Sequence, residues 1–152
     1  MSDHRVAIVR AVFYEDIVER LTAGAFRGLA EEGVDRADVD VHDVPGAFEL
    51  PLAVKACAES GRYDAVVCLG TLIRGETDHY DHVCMAAAYG IQKVQLETGV
   101  PCAFGLLTVE SIEQALARSG GDKRDQGYSS ARTAVAMARL VGGPDLVQGV
   151  RG

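Results

Sequence analysis

The sequence predicts an α/β fold of the flavodoxin-like type, a three-layer α/β/α sandwich with a central parallel four-stranded sheet. Three observations support this class. Runs rich in β-branched residues alternate with helical patterns, the connections between them are short, and the run at 66–73 is apolar throughout, as in a strand buried on both faces. Because crossovers between parallel strands are right-handed, few other topologies remain.

The first half of the chain contains two strand–helix units. We expect the first strand at 6–12, followed by a helix whose apolar residues recur at helical spacing. The second strand is expected at 39–44, where apolar and polar residues alternate, and the second helix at 47–59. Proline fits only the first turn of a helix, so Pro51 fixes where this second helix starts.

The second half continues the alternation. After the strand at 66–73 we expect a helix at 81–97, capped by Thr77 or Asp78. The predictions for the remaining chain are a strand at 102–107, a helix starting at Thr108 and broken at 119–121, a last helix at 127–141 and a loose tail at 142–152.

Composition limits the classes of function. At 152 residues the chain suits a single domain, 1–152, and its net charge of −7 without a basic block argues against binding nucleic acid. No segment approaches the length needed to cross a membrane, and the amino terminus does not read as a signal peptide. The cysteines form no Cys-x-x-Cys pair and predict reduced thiols in a cytoplasmic protein; they are Cys57, Cys68, Cys84 and Cys102.

The polar segment at 74–81 is the predicted site. In a parallel sheet, loops leaving the carboxyl ends of the strands form the ligand crevice, and amides at the next helix start attract anions. Gly75 permits close approach of a ligand, and His79 supplies an imidazole, the usual proton carrier near neutral pH. A lone histidine there is commonly just solvated, but the neighbouring hydroxyl and carboxylate groups favour an acid–base role.

A metal site and a dinucleotide site are disfavoured. His79 and His82 are three residues apart, whereas paired zinc ligands on a helix are usually four apart. The first strand is not followed by a glycine-rich phosphate loop. The sequence therefore predicts neither a metal nor an organic cofactor.

The sequence allows two interpretations for each of two side chains. Phe13 is either a core residue or a stacking surface. Glu49 either complements a helix dipole or faces the site.

Four segments carry a resemblance to a known family. They occur in order and are 44–51 (VPGAFELP), 69–81 (LGTLIRGETDHYD), 99–108 (GVPCAFGLLT) and 112–120 (IEQALARSG). In these segments the chain resembles lumazine synthases. The resemblance implies condensation of 5-amino-6-ribitylaminouracil with 3,4-dihydroxy-2-butanone 4-phosphate to give 6,7-dimethyl-8-ribityllumazine, water and phosphate, the penultimate step of riboflavin synthesis, without a cofactor.

The same resemblance implies a role for each site residue. His79 would transfer protons, Phe13 would stack on the pyrimidine, and Arg118 would clamp the phosphate. Phe104 would come from a neighbouring subunit of a homo-oligomer, which we expect to be a pentamer with shared active sites. The other implied contacts are Ala47, Phe48 and Glu49 to the ribityl chain, Thr71, Leu72 and Ile73 to the ring, and the backbone amides of Glu76 and Thr77 to the phosphate.

The chain departs from the family pattern at two places. Tyr14 stands where the family usually has asparagine, and Gln126 where it usually has lysine. These departures motivate an alternative, a lumazine- or flavin-binding carrier with reduced or lost turnover. His79 and Arg118 favour the enzyme, since a carrier needs neither a proton shuttle nor a phosphate clamp. A flavodoxin-like signalling domain is weaker, because no acidic cluster ends the early strands.

Overall fold

A computed structural model describes residues 4–75, 79–120 and 124–142. Strands and helices alternate through these ranges. The strands are β1 Val6–Ala11, β2 Val39–Val44, β3 Ala65–Ile73 and β4 Cys102–Val109. The helices are α1 Glu15–Glu31, α2 Leu50–Glu59, α3 Tyr80–Thr98, α4 Ile112–Ala117 and α5 Gln126–Gly142, with short 3₁₀ turns at Arg36–Asp38 and Ala47–Glu49.

The strands form a sheet in the order β2-β1-β3-β4, and every pairing is parallel. Val6 of β1 lies opposite Val39 of β2 and Ala65 of β3, so the first three strands begin at the same level. The predicted parallel four-stranded sheet is confirmed for the described part of the chain. All four strands consequently end at one edge of the sheet.

Helices cover both faces of the sheet, which confirms the predicted three layers. Successive strand residues point to opposite faces. Ile8 packs into the core formed with α1 and α5, whereas its neighbour Val9 packs into the core formed with α2 and α3. β3 is buried on both sides, which explains why its sequence is apolar throughout instead of alternating.

Helices α1 and α5 lie in direct backbone contact. A Cβ atom at Gly28 of α1 would meet the carbonyl oxygen of Tyr128 at 2.7 Å, and one at Gly127 of α5 would collide with the carbonyl oxygen of Leu21. Only glycine fits at either position without moving a helix. The absence of these two side chains therefore sets how closely α5 packs on α1.

The predicted start of the fourth helix is wrong. Thr108 and Val109 continue β4, because both residues pair with the end of β3. The helix begins only after Ser111, whose hydroxyl accepts a hydrogen bond from the Gln114 backbone amide and so caps α4. A tertiary pairing overrides the local helical pattern here.

Other predicted boundaries shift by a few residues. The first strand ends at Ala11, and the second helix begins as a 3₁₀ turn before α2, with Pro51 in the first turn of α2. α5 includes Gly142, which was predicted as the first residue of the tail, and the rest of the predicted tail lies outside the described ranges. The proposed caps Thr77 and Asp78 also lie outside them, and α3 starts directly after His79.

One face of α3 carries exposed apolar side chains. Met85, Tyr89 and Leu96 are each more than half exposed and are spaced so that they share this face. We call these three residues the α3 stripe.

No helix in the ranges given above is both long and apolar enough to span a membrane.

The contact between α1 and α5 makes a testable prediction. Gly127→Ala should lower the free energy of unfolding by roughly 2–3 kcal/mol, because the new methyl group forces α5 away from the Leu21 carbonyl. Gly142→Ala on the same helix is the matched control, since a Cβ there meets open space, and we expect a change within about 0.5 kcal/mol. Urea unfolding measures both. Equal stabilities for the two variants would contradict the packing described.

Candidate active site

A cavity of about 200 Å³ lies at the carboxyl ends of β1, β2 and β3. The chain leaving each strand supplies part of its wall, and the start of α3 closes one side. This is where a parallel sheet forms its ligand crevice. The lining residues are Phe13, Tyr14, Gly46, Ala47, Phe48, Glu49, Thr71, Leu72, Ile73, His79 and Val83.

Two aromatic rings are exposed at this cavity. Phe13 is 68 % exposed and Phe48 is 63 % exposed, which is unusual for such large apolar side chains. The Phe13 ring lies edge-on to Tyr14, with the ring centroids 4.9 Å apart. The reading of Phe13 as a core residue is therefore wrong. An exposed ring beside a cavity has the shape and polarity to stack on a flat ligand.

The floor of the cavity contains a buried hydroxyl. Thr71, near the end of β3, is 6 % exposed, and its Oγ1 has no hydrogen-bond partner in the part of the chain described. Leu72 and Ile73 continue this wall with apolar side chains. Buried polar atoms are nearly always paired, so Thr71 Oγ1 is suited to meet a polar atom of a bound molecule.

His79 lies at the rim of the cavity, in the residue before α3. Contacts of the two residues after it, Tyr80 and Asp81, hold the start of α3. Tyr80 is buried, the Arg74 guanidinium lies 4.5 Å from the Tyr80 ring centroid, and Arg74 Nη1 is 3.3 Å from Asp81 Oδ1. Burial raises the pKa of Tyr80, so its phenol stays neutral beside the His79 imidazole.

Glu49 brings a carboxylate to the same cavity. It ends the 3₁₀ turn Ala47–Glu49 and immediately precedes α2, where a negative charge also complements the helix dipole. The two roles left open by the sequence are thus compatible, since this exposed side chain lines the cavity as well. No group of three or more His, Cys, Asp or Glu side chains in the described ranges could hold a metal ion.

Phe104 and Arg118 do not line this cavity within one chain. Phe104 is half-buried on β4, at the opposite side of the sheet from β2, and its carbonyl oxygen accepts a 3.4 Å hydrogen bond from Gln126 Nε2. Arg118 follows α4, and its Nη1 donates to the Gln114 carbonyl oxygen at 3.2 Å. The amides of Glu76 and Thr77 belong to residues that the structure does not describe.

Three lining residues were not predicted as contacts. Tyr14, Gly46 and Val83 all face the cavity. Each had a signal in the sequence: Tyr14 follows the stacking ring, Gly46 lies in the turn after the second strand, and Val83 lies one helical turn after His79. The periodicity of α3 alone would have identified Val83.

A larger groove of about 490 Å³ lies at the other end of the sheet, near His4, Tyr63 and Pro101. Its aromatic residue, Tyr63, is buried, and its hydroxyl donates to Asp40 Oδ2 at 2.6 Å. This groove therefore lacks exposed stacking rings. The smaller cavity is the candidate site because it combines such rings, an imidazole and a buried hydroxyl for which the described ranges supply no partner.

The fold and the cavity define a class: an α/β protein with a small-molecule site equipped for acid–base chemistry. The family model described as 6,7-dimethyl-8-ribityllumazine synthase matches residues 3–142. The chain belongs to the 6,7-dimethyl-8-ribityllumazine synthase family. It is accordingly a transferase of riboflavin biosynthesis with lumazine synthase activity, acting on small-molecule substrates as part of an oligomer.

The hydroxyl of Thr71 makes a further prediction. Thr71→Val should raise the free energy of unfolding of the unliganded protein by about 1 kcal/mol, because it replaces a buried hydroxyl that has no partner among the described residues with a methyl group. Thr108→Val, at an exposed position of β4, is the control for the change in strand propensity. Thermal and urea unfolding measure both. A loss of stability confined to Thr71→Val would mean that its hydroxyl is paired.

Proposed function

We propose that this chain condenses 5-amino-6-ribitylaminouracil with 3,4-dihydroxy-2-butanone 4-phosphate, forming 6,7-dimethyl-8-ribityllumazine, phosphate and water. The observation that carries the proposal is the cavity in which exposed aromatic rings and His79 lie together. A flat, polar heterocycle requires a stacking surface, and a condensation requires proton transfer. Family membership supports the same reaction.

The pyrimidine substrate suits the wall of this cavity. We propose that its ring stacks on Phe13 and lies against Thr71, Leu72 and Ile73, which line the cavity together. A polar edge of the ring would then pair with Thr71 Oγ1. The ribityl chain would extend past Ala47 and Phe48, where the exposed carboxylate of Glu49 can accept hydrogen bonds from its hydroxyl groups.

The chemistry needs a proton carrier at several steps. The amine of the pyrimidine attacks the ketone carbon, and water leaves as the imine forms. A proton is then removed from the neighbouring carbon as the C–O bond to phosphate breaks. The resulting enol takes up a proton at its terminal carbon and becomes a ketone. The ribitylamino nitrogen attacks this ketone carbon, and loss of its oxygen as water closes the second ring. We assign these proton transfers to His79, which can alternate between base and acid within one turnover.

Departure of phosphate needs fixed positive charge and amide donors. We propose that Arg118 supplies a planar two-donor fork and that the backbone amides of Glu76 and Thr77 supply the remaining hydrogen bonds. Condensation and elimination require only proton transfers and charge stabilisation. We therefore propose that the reaction needs no metal and no organic cofactor.

The positions of Phe104 and Arg118 support a site shared between subunits. Both lie on the β4 side of the protomer, whereas the cavity lies beside β1, β2 and β3. A head-to-tail interface, in which the β4 side of one chain meets the cavity of the next, forms a ring when its rotation closes. We propose a cyclic pentamer. The exposed α3 stripe gives such a ring an apolar contact surface.

We propose that the protein acts in the cytoplasm. The thiols of Cys57, Cys68 and Cys102 are free and buried together in the core between the sheet and α2 and α3. Burial raises the pKa of the Cys102 thiol to about 12, so this group stays protonated and unreactive. Such thiols suit a reducing compartment.

The assigned role of His79 is tested by substitution. His79→Ala should slow lumazine formation by roughly ten- to a thousand-fold, because solvent replaces a positioned proton carrier, while substrate binding largely survives. His82→Ala is the matched control: this exposed histidine does not line the cavity, and its rate should stay near wild type. Single-turnover absorbance measurements follow the chemical step. Equal rates for both variants would remove His79 from the mechanism.

The shared site is tested by mixing inactive chains. If one chain supplies His79 and its neighbour supplies Arg118, a random equal mixture of His79→Ala and Arg118→Ala chains restores about a quarter of the sites. Mixing His79→Ala with chains that carry both substitutions should restore none. Light scattering should give the mass of a pentamer or of a multiple of pentamers. A fully active species of single-chain mass would contradict the proposal.

A further inference from the structure

We propose that Arg20 of α1 is a positioning residue for Arg118: it holds the segment that carries Arg118 and thereby sets the affinity for the phosphate-bearing substrate. The inference rests on the proposed role of Arg118 as the phosphate clamp. Arg118 directly follows the short helix α4, whose single capped end gives little rigidity to the chain beyond it. Its position therefore depends on contacts with other parts of the protomer.

Arg20 makes contacts on both sides of Arg118. Its Nε donates to Ser119 Oγ at 3.0 Å, and its Nη2 lies 3.0 Å from the Leu116 carbonyl oxygen and 3.4 Å from that of Gly120. Ser119 is 1 % exposed, so this hydroxyl is a fixed acceptor. One rigid guanidinium thus fixes the backbone from two residues before Arg118 to two residues after it.

The chain around Arg118 is closed into a loop by its own backbone. The Gln126 amide donates to the Arg118 carbonyl oxygen at 2.8 Å, and the Gly120 amide donates to the Arg124 carbonyl oxygen at 3.0 Å. These bonds join the incoming limb, residues 116–120, to the outgoing limb, residues 124–126. A contact that holds one limb in place therefore also restrains the other.

Helix α1 also holds the outgoing limb. Arg27, seven residues after Arg20 and on the same helix face, pairs with Asp125 at 2.9 Å. Gly24 lies between the two arginines, and the Asp125 carboxylate occupies the space that a Cβ atom on Gly24 would fill. Both limbs therefore lie against one face of α1, with Arg20 at the incoming limb and Arg27 at the outgoing limb.

Arg20 acts on Arg118 through the backbone. The Arg118 guanidinium donates to the Gln114 carbonyl oxygen, while Arg20 reaches residues on either side of it. Loss of Arg20 should leave the Arg118 charge in place but let its fork move away from the geometry a phosphate needs. A displacement of this kind weakens a bidentate contact without removing it.

The test compares the kinetic constants for the two substrates. Arg20→Ala should raise the KM for the phosphate-bearing substrate and the Kd for inorganic phosphate roughly tenfold, leaving the KM for the pyrimidine within about twofold. Arg20→Lys should recover only part of this loss, because one ammonium cannot reach all three acceptors. Full recovery by lysine would mean that charge alone matters and would overturn the inference. Arg139→Ala, which removes a similar surface arginine bound to Glu32, should change neither constant.

Arg118→Lys separates this inference from the proposed function. If Arg118→Lys leaves the KM for the phosphate-bearing substrate unchanged, the proposed phosphate clamp is wrong. If Arg118→Lys raises that KM but Arg20→Ala does not, only the role of Arg20 is wrong. In the double variant the effect of Arg20→Ala should largely disappear, whereas additive effects would contradict action through Arg118.

A milder variant keeps the inference testable if Arg20→Ala folds poorly. Ser119→Ala removes one acceptor of the guanidinium and leaves both carbonyl contacts. It should raise the KM for the phosphate-bearing substrate by roughly threefold and leave that of the pyrimidine unchanged. Equal changes for the two substrates would indicate a general structural fault and overturn the inference.

Discussion

The parallel hydrogen bonding of β1 with β2 and β3 is the constraint on which the site depends. Because these strands run in one direction and begin at one level, the chain leaving each of them arrives at the same edge of the sheet. Phe13, Ala47 and Thr71 meet at one cavity for this reason, although they are far apart in sequence. A slip of one residue would also exchange the two faces of each strand, so the buried cores fix this register.

The same framework links the two ends of the proposed site. Helix α1 begins two residues after Phe13, packs on α5 through glycines, and contacts the segment that carries Arg118. Movement of α1 would therefore disturb both the stacking surface and the proposed phosphate clamp. In the proposed ring each site would depend on two copies of α1. The copy in one protomer follows the Phe13 ring at the cavity, and the copy in the next protomer holds the Arg118 segment.

Much of the fold and of the cavity could be predicted from the sequence, because both follow from local patterns. The segment just beyond an apolar strand must lie at the edge of the sheet, which is why the strand–turn–helix order pointed to His79, and His79 lies at the cavity. Phe48 and Ile73 also line it, but only the family resemblance suggested them as contacts. The start of α4 could not be predicted, because pairing with β3 extends β4 through Val109. The assembly around Phe104 depends on contacts between chains, which no pattern within one chain specifies.

The most direct test of the proposed function is incubation of the purified protein with both substrates, following the absorbance of the lumazine and the release of phosphate together. The account predicts that both appear in equal amounts, at rates that do not change after exhaustive chelation. Tight binding of the lumazine to the protein with no release of phosphate would contradict it, because the chain would then be a carrier and not the synthase.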